Sequence, residues 1–128
     1  MGAHVLIVED SALVVGALRI LLEDAGYRVS SAGSVREALE TGRAEVPDVM
    51  LLDLTLPDGD GLTVLEGLAA TGRVPSVTVA VTGRDEPNVI QRCLEVGCRE
   101  VLIKPMNALQ LPRQIARWLA EPRSAPEP

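Results

Sequence analysis

Short apolar segments alternate along this chain with longer segments in which apolar residues recur at the spacing of a helix. This alternation predicts strands joined by helical crossovers, the pattern of a parallel sheet covered by helices. Most of the predicted strands are rich in valine, isoleucine or leucine, as expected for strands buried on both faces. We therefore predict an α/β fold, a doubly wound five-stranded parallel sheet with five helices, whose strands span residues 4–8, 28–32, 49–52, 77–81 and 101–103.

Start and stop signals place the helices between these strands. The first helix follows a Ser11 cap and stops at Gly26. Its predicted buried face combines Leu13, Val14, Ala17, Leu18, Leu21 and Leu22. Ser34 and Glu37 form a capping box that opens the second helix. The other predicted limits are about residue 41 for the end of the second helix, 62–68 for the third, 85–96 for the fourth, and 107–120 for the fifth, with Asn107 as its cap.

The composition restricts the classes of function. The chain has 128 residues, the size of a single domain, which we place at residues 1–120. The Pro-rich residues 121–128 are predicted to form a flexible tail or the start of a linker. A formal net charge of −6 argues against a direct nucleic-acid binder, and no apolar segment reaches the ~20 residues of a membrane span. Cys93 and Cys98 lack partners at zinc-site spacing, so we expect free thiols in a reducing, cytoplasmic compartment.

Charged or hydroxyl residues stand at the ends of four of the five predicted strands. Glu9 and Asp10 follow the first strand, Asp53 the third, Thr82 the fourth and Lys104 the fifth. Because the carboxyl ends of parallel strands share one edge of a sheet, we expect these side chains to meet in one cleft. Lys104 is also the only lysine among twelve basic residues, as expected where a compact point charge is required.

Three carboxylates in one cleft require a cation, since two carboxylates about 5 Å apart repel by roughly 3 kcal/mol at an effective dielectric of about 20. Magnesium suits this set because it prefers oxygen ligands and keeps several waters. We predict that Asp10, Asp53 and a backbone carbonyl near Thr55 bind the ion, and that Glu9 holds one of its waters.

The same arrangement prepares a carboxylate to attack phosphorus. The metal and Lys104 would neutralise charge on the transferring oxygens, and Thr82 would donate a hydrogen bond to one of them. Asp53 is the best acceptor, because it lies in the central part of the pattern and precedes a loop with two glycines. The product would be an aspartyl phosphate.

Four motifs occur in a characteristic order: Glu9-Asp10, Asp53 with Pro57 and Gly61 four and eight positions later, Thr82-Gly83, and Ile103-Lys104-Pro105. Over residues 4–120 the chain thereby resembles a response-regulator receiver domain of two-component signalling, a flavodoxin-like fold shared with chemotaxis regulators. The resemblance implies that Asp53 accepts a phosphoryl group from the phosphohistidine of a sensor histidine kinase or of a histidine phosphotransfer protein, with magnesium as the cofactor. It also implies slow self-hydrolysis, a switch between two conformations, a cis Lys104–Pro105 peptide, and a phosphoacceptor rather than a stand-alone enzyme.

Three positions bear on how such a domain signals. Family members commonly carry an aromatic residue three positions before the lysine, and its rotamer accompanies activation, whereas this chain has Val101. Thr55 and Arg84 occupy positions that tune phosphoryl transfer and hydrolysis in the family. The resemblance also places a surface for an output domain or a homodimer at about residues 85–120. Whether the chain is a stand-alone regulator or a receiver cut from a longer one stays open.

Three other functions were alternatives on the sequence alone. A small phosphatase of the haloacid dehalogenase type also forms an aspartyl phosphate, but it places a second aspartate where this chain has Thr55. A flavodoxin-like cofactor binder needs a phosphate loop rich in serine, threonine and glycine where this chain has Glu9-Asp10-Ser11. A degenerate receiver would only bind partners, and the complete set of acidic residues with Lys104 argues against it.

Overall fold

Five strands and five helices alternate in a computed structural model, which describes residues 2–121. The strands are β1 (His4–Val8), β2 (Arg28–Ala32), β3 (Val49–Asp53), β4 (Val77–Thr82) and β5 (Glu100–Ile103). The helices are α1 (Ala12–Asp24), α2 (Val35–Ala44), α3 (Leu62–Ala70), α4 (Pro87–Val96) and α5 (Leu111–Ala120). A short antiparallel hairpin, Thr55–Leu56 with Gly59–Asp60, lies between β3 and α3.

The strands form one parallel sheet in the order β2–β1–β3–β4–β5. The chain therefore moves outward from β1 in one direction to β2 and then in the other direction through β3, β4 and β5. A ligand crevice forms outside the carboxyl ends of the strands where such an order reverses, which here is between β1 and β3. The predicted doubly wound five-stranded sheet is confirmed.

Two apolar cores cover the two faces of this sheet, because alternate strand residues point to opposite sides. On one face, α2, α3 and α4 pack against the sheet around Leu6, Met50, Leu52 and Leu68. On the other face, Leu22 of α1 and Trp118 of α5 pack against Val5, Ile7 and Leu51 of the sheet. The central strands are thus apolar on both sides.

The register of the sheet aligns the ends of its strands. Val8 pairs with Leu52, so the next residues of these two strands, Glu9 and Asp53, lie side by side. Thr82 pairs with Ile103 at the ends of β4 and β5. The predicted convergence of strand-end side chains at one edge therefore follows from the pairing itself.

The buried face of α1 differs from the prediction. Leu18 and Leu22 are buried, whereas Leu13 is 86% exposed and Val14 is 39% exposed. The predicted face combined six apolar residues, but the apolar residues of this helix extend around too much of its circumference for a single contact with the sheet. The amino-terminal half of α1 consequently presents apolar side chains to solvent.

Several predicted limits also shift. Strands β3 and β4 include Asp53 and Thr82, which still pair in the sheet although they are polar. Helix α2 continues to Ala44, and α4 begins at Pro87 rather than at residue 85. Asn107 does not cap α5; its side chain accepts a hydrogen bond from Leu109 in a 3₁₀ turn that precedes the helix.

No helix within residues 2–121 is long and apolar enough to cross a membrane. Of the predicted tail at 121–128, only Glu121 lies within the described residues, and its carboxylate pairs with Arg99 at 2.6 Å. The domain limits of 1–120 and 121–128 stay predictions.

Replacing Leu22 with alanine should lower the free energy of unfolding by about 2–5 kcal/mol, because the side chain is fully buried and its removal leaves a cavity. Leu13→Ala makes the same chemical change on the exposed face of the same helix and should alter stability by less than about 0.5 kcal/mol. Urea unfolding of both variants gives the comparison. Equal losses would show that α1 packs through a different face.

Candidate functional site

The strand ends bring three acidic side chains together at the crevice between β1 and β3. Carboxylate oxygens of Glu9, Asp10 and Asp53 all lie within 4.8 Å of one another. Glu9 and Asp53 are buried, whereas Asp10 is exposed. The predicted acidic cluster is therefore present, with one member open to solvent.

Lys104 bridges the two buried members of this cluster. Its Nζ donates to Asp53 Oδ2 at 3.0 Å and to Glu9 Oε1 at 3.3 Å. The backbone N–H of Lys104 donates to the carbonyl of Thr82 at 2.8 Å, and the following peptide, to Pro105, is cis as predicted. Partial burial alone would lower the pKa of Lys104, but the hydrogen bonds and charges of Asp53 and Glu9 together outweigh burial and raise it.

Glu9 is held at both carboxylate oxygens. Oε1 accepts from Lys104, and Oε2 accepts from the backbone N–H of Ser11 at 3.1 Å. Burial and the neighbouring charge of Asp53 raise the pKa of Glu9, although Ser11 and Lys104 act in the opposite direction. Since folding raises this pKa, ionised Glu9 opposes folding, and its contribution to stability falls as the pH rises through the raised pKa.

Asp53 has its two carboxylate oxygens in different environments. Oδ1 accepts from the backbone N–H of Thr55 at 3.0 Å, whereas Oδ2 accepts from Lys104. Its backbone is closely approached by Gly61, where an added Cβ would lie 2.0 Å from the carbonyl oxygen of Asp53. Only glycine therefore allows the following loop to fold back over the end of β3, where the Gly61 N–H donates to Leu54.

Thr82 is buried at the end of β4, with 2% exposure. Its Oγ1 accepts the backbone N–H of Arg84 at 3.0 Å. A hydroxyl that accepts in this way keeps its own proton for donation. The donation of this proton to a phosphoryl oxygen stays a prediction.

Two acidic residues that the sequence analysis did not single out hold the loop after Asp53. Asp58 accepts the backbone N–H groups of Val35 and Arg36 at 2.7 and 3.1 Å, at the start of α2. Asp60 pairs with Arg92 of α4 at 2.7 Å and accepts the N–H of Leu62 at 2.9 Å. The position of Asp60 just before a helix was the available signal. The contacts of Asp58 with α2 and of Asp60 with Arg92 join residues that are remote in sequence, so no local pattern predicts them.

Val101, Thr55 and Arg84, the three positions that bear on signalling, have distinct surroundings. Val101 is half-buried in β5 and packs against the core beneath α4. The side chain of Thr55 is exposed, and a metal-binding role for its carbonyl stays a prediction. The guanidinium of Arg84 pairs with Glu86 at 3.2 Å.

Comparisons with known proteins agree on one family. Residues 5–116 match the family model of the response regulator receiver domain. The chain is 32% identical over 127 residues to the KDP operon transcriptional regulatory protein KdpE of Escherichia coli K12, covering 98% of this chain and 56% of KdpE. It is 42% identical over 106 residues to a protein-glutamate methylesterase/protein-glutamine glutaminase of Anaeromyxobacter dehalogenans, covering 80% of this chain and 29% of that protein.

A solved structure shows the same architecture. The receiver domain of a sensor histidine kinase from Pseudomonas aeruginosa PAO1 superposes with a TM-score of 0.80 at 27% identity, over 94% of this chain and all of that one. Its crystal structure contains a magnesium ion coordinated in the active-site cleft. The present chain spans only about half or less of the two curated relatives, which are longer proteins.

Replacing Lys104 with methionine should raise the pKa of the Glu9 carboxyl further, because the ammonium charge lowers that pKa in the native site. An NMR titration of the Glu9 side-chain carboxyl in both proteins measures the change. Arg43→Met removes a cation from the last turn of α2 and serves as the control, with an unchanged titration expected. If Lys104→Met also left the titration unchanged, the ammonium would not be acting on Glu9.

Proposed function

The chain belongs to the response regulator receiver domain family, and on that premise we propose that Asp53 accepts a phosphoryl group from a phosphohistidine. The donor is a sensor histidine kinase or a histidine phosphotransfer protein. The observation that carries the proposal is the contact of Lys104 with both Asp53 and Glu9, at the centre of the acidic cluster. A carboxylate held beside a fixed ammonium is placed to attack phosphorus without reorganisation of its surroundings.

In the transfer, a carboxylate oxygen of Asp53 forms a bond to phosphorus as the bond between phosphorus and the donor imidazole nitrogen breaks. The imidazole leaves with the bonding electron pair, and its basic nitrogen takes up a proton. Lys104 neutralises charge on the phosphoryl oxygens, and the hydroxyl of Thr82 donates to one of them. Neither residue has to move far, because both are fixed at the ends of paired strands.

The acidic cluster fits magnesium. The cluster contains three carboxylates and only one ammonium. The pKa of Glu9 is raised by burial and by the charge of Asp53. A further cation would therefore reduce the repulsion among the carboxylates. We propose that Asp10, Asp53 and the backbone carbonyl of Thr55 bind the ion and that Glu9 holds one of its waters. When bound, magnesium supplies positive charge to the phosphoryl oxygens. The magnesium-containing receiver domain from Pseudomonas aeruginosa supports this assignment.

The donor protein needs a surface beside Asp53, and an apolar groove is present there. The groove has a volume of about 510 Å³ and reaches from Asp53 and Lys104 to Val14 and Ala17 of α1 and Ala108 beyond Pro105. The same helix exposes Leu13 and Ile20. An apolar surface of this kind next to charged groups is typical of a protein interface, and we assign it to the phosphodonor.

The phosphorylated domain acts on other proteins rather than on a substrate of its own. The matched relatives are longer than this chain, and the name of KdpE describes a transcriptional regulator. We propose that phosphorylation of Asp53 changes the surface at residues 85–120, and that an output domain or a second copy of the chain reads this change. The proposed location is the cytoplasm, where the phosphodonor would be available.

Asp53→Asn should abolish phosphorylation, because an amide cannot replace the attacking carboxylate. The protein is incubated with acetyl phosphate and magnesium, and its intact mass is measured. Wild type should gain one phosphoryl group, and Asp53→Asn none. Asp48→Asn is the control, because it makes the same chemical change just before β3 begins, at the end of the strand far from Asp53. Among the described residues, the Asp48 carboxylate accepts only the backbone N–H of His4. This variant should be phosphorylated normally. Labelling of Asp53→Asn at the wild-type rate would move the acceptor elsewhere.

Removing the exposed carboxylate of the cluster should weaken magnesium binding. Asp10→Ala is expected to raise the dissociation constant for magnesium by more than about tenfold, because a charged oxygen ligand is lost. Isothermal titration with magnesium chloride measures the affinity. Asp24→Ala removes an exposed carboxylate from the far end of α1 and should not change it. Equal affinities in Asp10→Ala and wild type would exclude Asp10 as a ligand.

A further inference from the structure

Helix α4 is held by the core less firmly than the other four helices. It buries a single residue, Cys93, whereas α3 buries four and α5 three. Its amino terminus has no side-chain cap, because the N-cap residue Glu86 makes no hydrogen bond to the first turn. A helix with so few buried contacts can change its position at little cost in free energy. This helix also forms part of the surface at residues 85–120 that is proposed above to contact an output domain or a second copy.

One ion pair joins α4 to the loop after Asp53. Arg92 Nη1 of α4 donates to Asp60 Oδ2 at 2.7 Å. Among the hydrogen bonds within residues 2–121, this is the one that connects the loop to α4. A polar pocket of about 240 Å³ lies between the two elements and is lined by residues of both. The ion pair therefore bridges a gap between the loop and the helix.

Asp60 is in turn connected to the acceptor through the short hairpin. Thr55 and Asp60 pair with each other across the two strands of the hairpin. The backbone N–H of Thr55 donates to Asp53 Oδ1 at 3.0 Å. At the tip of the hairpin, Asp58 is bound to α2, so the tip is fixed. The contacts consequently run without interruption from Asp53 through Thr55 and Asp60 to Arg92.

The ion pair is present at neutral pH but is weak. Burial alone would raise the pKa of Asp60, but the hydrogen bonds from Arg92 and from the Leu62 N–H, together with the charge of Arg92, lower it. The Asp60 carboxylate is therefore ionised at neutral pH. The side chains of Arg92 and Asp60 are 52% and 41% exposed, and ion pairs with this exposure contribute little to stability. Such a pair can follow small movements of the hairpin.

Resting on the proposed phosphorylation of Asp53, we propose that the Asp60–Arg92 ion pair transmits the state of Asp53 to α4. A phosphoryl group bonded to a carboxylate oxygen of Asp53 changes the charge that faces the Thr55 N–H, and Thr55 shifts in response. Asp60 moves with Thr55 because the two residues are paired, and Arg92 carries the movement to α4. This connection operates without an aromatic residue at Val101.

The test follows α4 by NMR, with beryllofluoride and magnesium as the probe in place of a phosphoryl group on Asp53. In wild type, the amide resonance of Thr55 should shift when the probe binds, and the amide resonances of Gln91 and Leu94 in α4 should shift with it. In Arg92→Met the shift at Thr55 should remain, whereas the shifts in α4 should fall to about half or less.

A double-mutant cycle assigns the effect to the ion pair. Asp60→Asn keeps an oxygen for the Leu62 N–H but removes the charge that binds Arg92, so it should reduce the α4 shifts as much as Arg92→Met does. The double variant should cause no further loss. Arg92→Lys keeps a cation and should retain most of the response. Arg113→Met removes an exposed arginine from α5 and should retain all of it.

Hydrogen exchange gives a second measurement, on the unphosphorylated protein. Arg92→Met should speed exchange of the α4 amides about two- to fivefold, because a weak restraint on the helix is lost. The α5 amides should exchange as in wild type. Arg92→Met should also be phosphorylated by acetyl phosphate at the wild-type rate, measured by intact mass, because Arg92 contacts Asp60 rather than Asp53.

Full α4 shifts in Arg92→Met, or a further loss in the double variant, would overturn the proposal, because α4 would then respond to the acceptor site by another route. Unchanged α4 exchange in Arg92→Met would overturn it as well, and so would wild-type α4 resonances that do not respond to the probe. These results leave the proposed function intact as long as wild type gains a phosphoryl group on Asp53. If it gained none, the proposed function itself would fail, and the transmission to α4 with it.

Discussion

The contact of Lys104 with two buried carboxylates is the interaction on which the site depends. The pairing of β1 with β3 forces Glu9 and Asp53 to be neighbours, and neither has enough water around it to screen the repulsion. The ammonium supplies the compensating charge from β5, two strands away from β3. The charge balance of the site therefore depends on the order and the register of the strands, because a change in either would separate the ammonium from the carboxylates.

Much of this arrangement could be predicted because it depends on local patterns. Apolar runs that end abruptly in Glu9, Asp53, Thr82 and Lys104 mark the strands and their ends together. What could not be predicted depends on pairs remote in sequence, such as Asp60 with Arg92. The prediction of the buried face of α1 was also wrong, because an almost wholly apolar helix has no polar face from which its orientation can be determined.

The loop after Asp53 is better fixed than its composition suggests. Asp58 joins the loop to α2 by hydrogen bonds, and Asp60 joins it to α4 by an ion pair. Gly61 allows the loop to contact the backbone of Asp53 closely. These contacts fix the position of the Thr55 carbonyl relative to the Asp53 carboxylate. Arg84 and Glu86, in the segment that follows β4, are by contrast largely exposed.

The single lysine has a practical consequence for anyone handling this protein. Reagents that acylate amines can modify only one side chain in the whole chain. That side chain is Lys104 in the cleft, which is 39% exposed. Its raised pKa slows such labelling near neutral pH, but alkaline coupling to beads, dyes or sensor chips would disable the site. Both cysteines are buried, so a thiol introduced on the surface is the safer point of attachment.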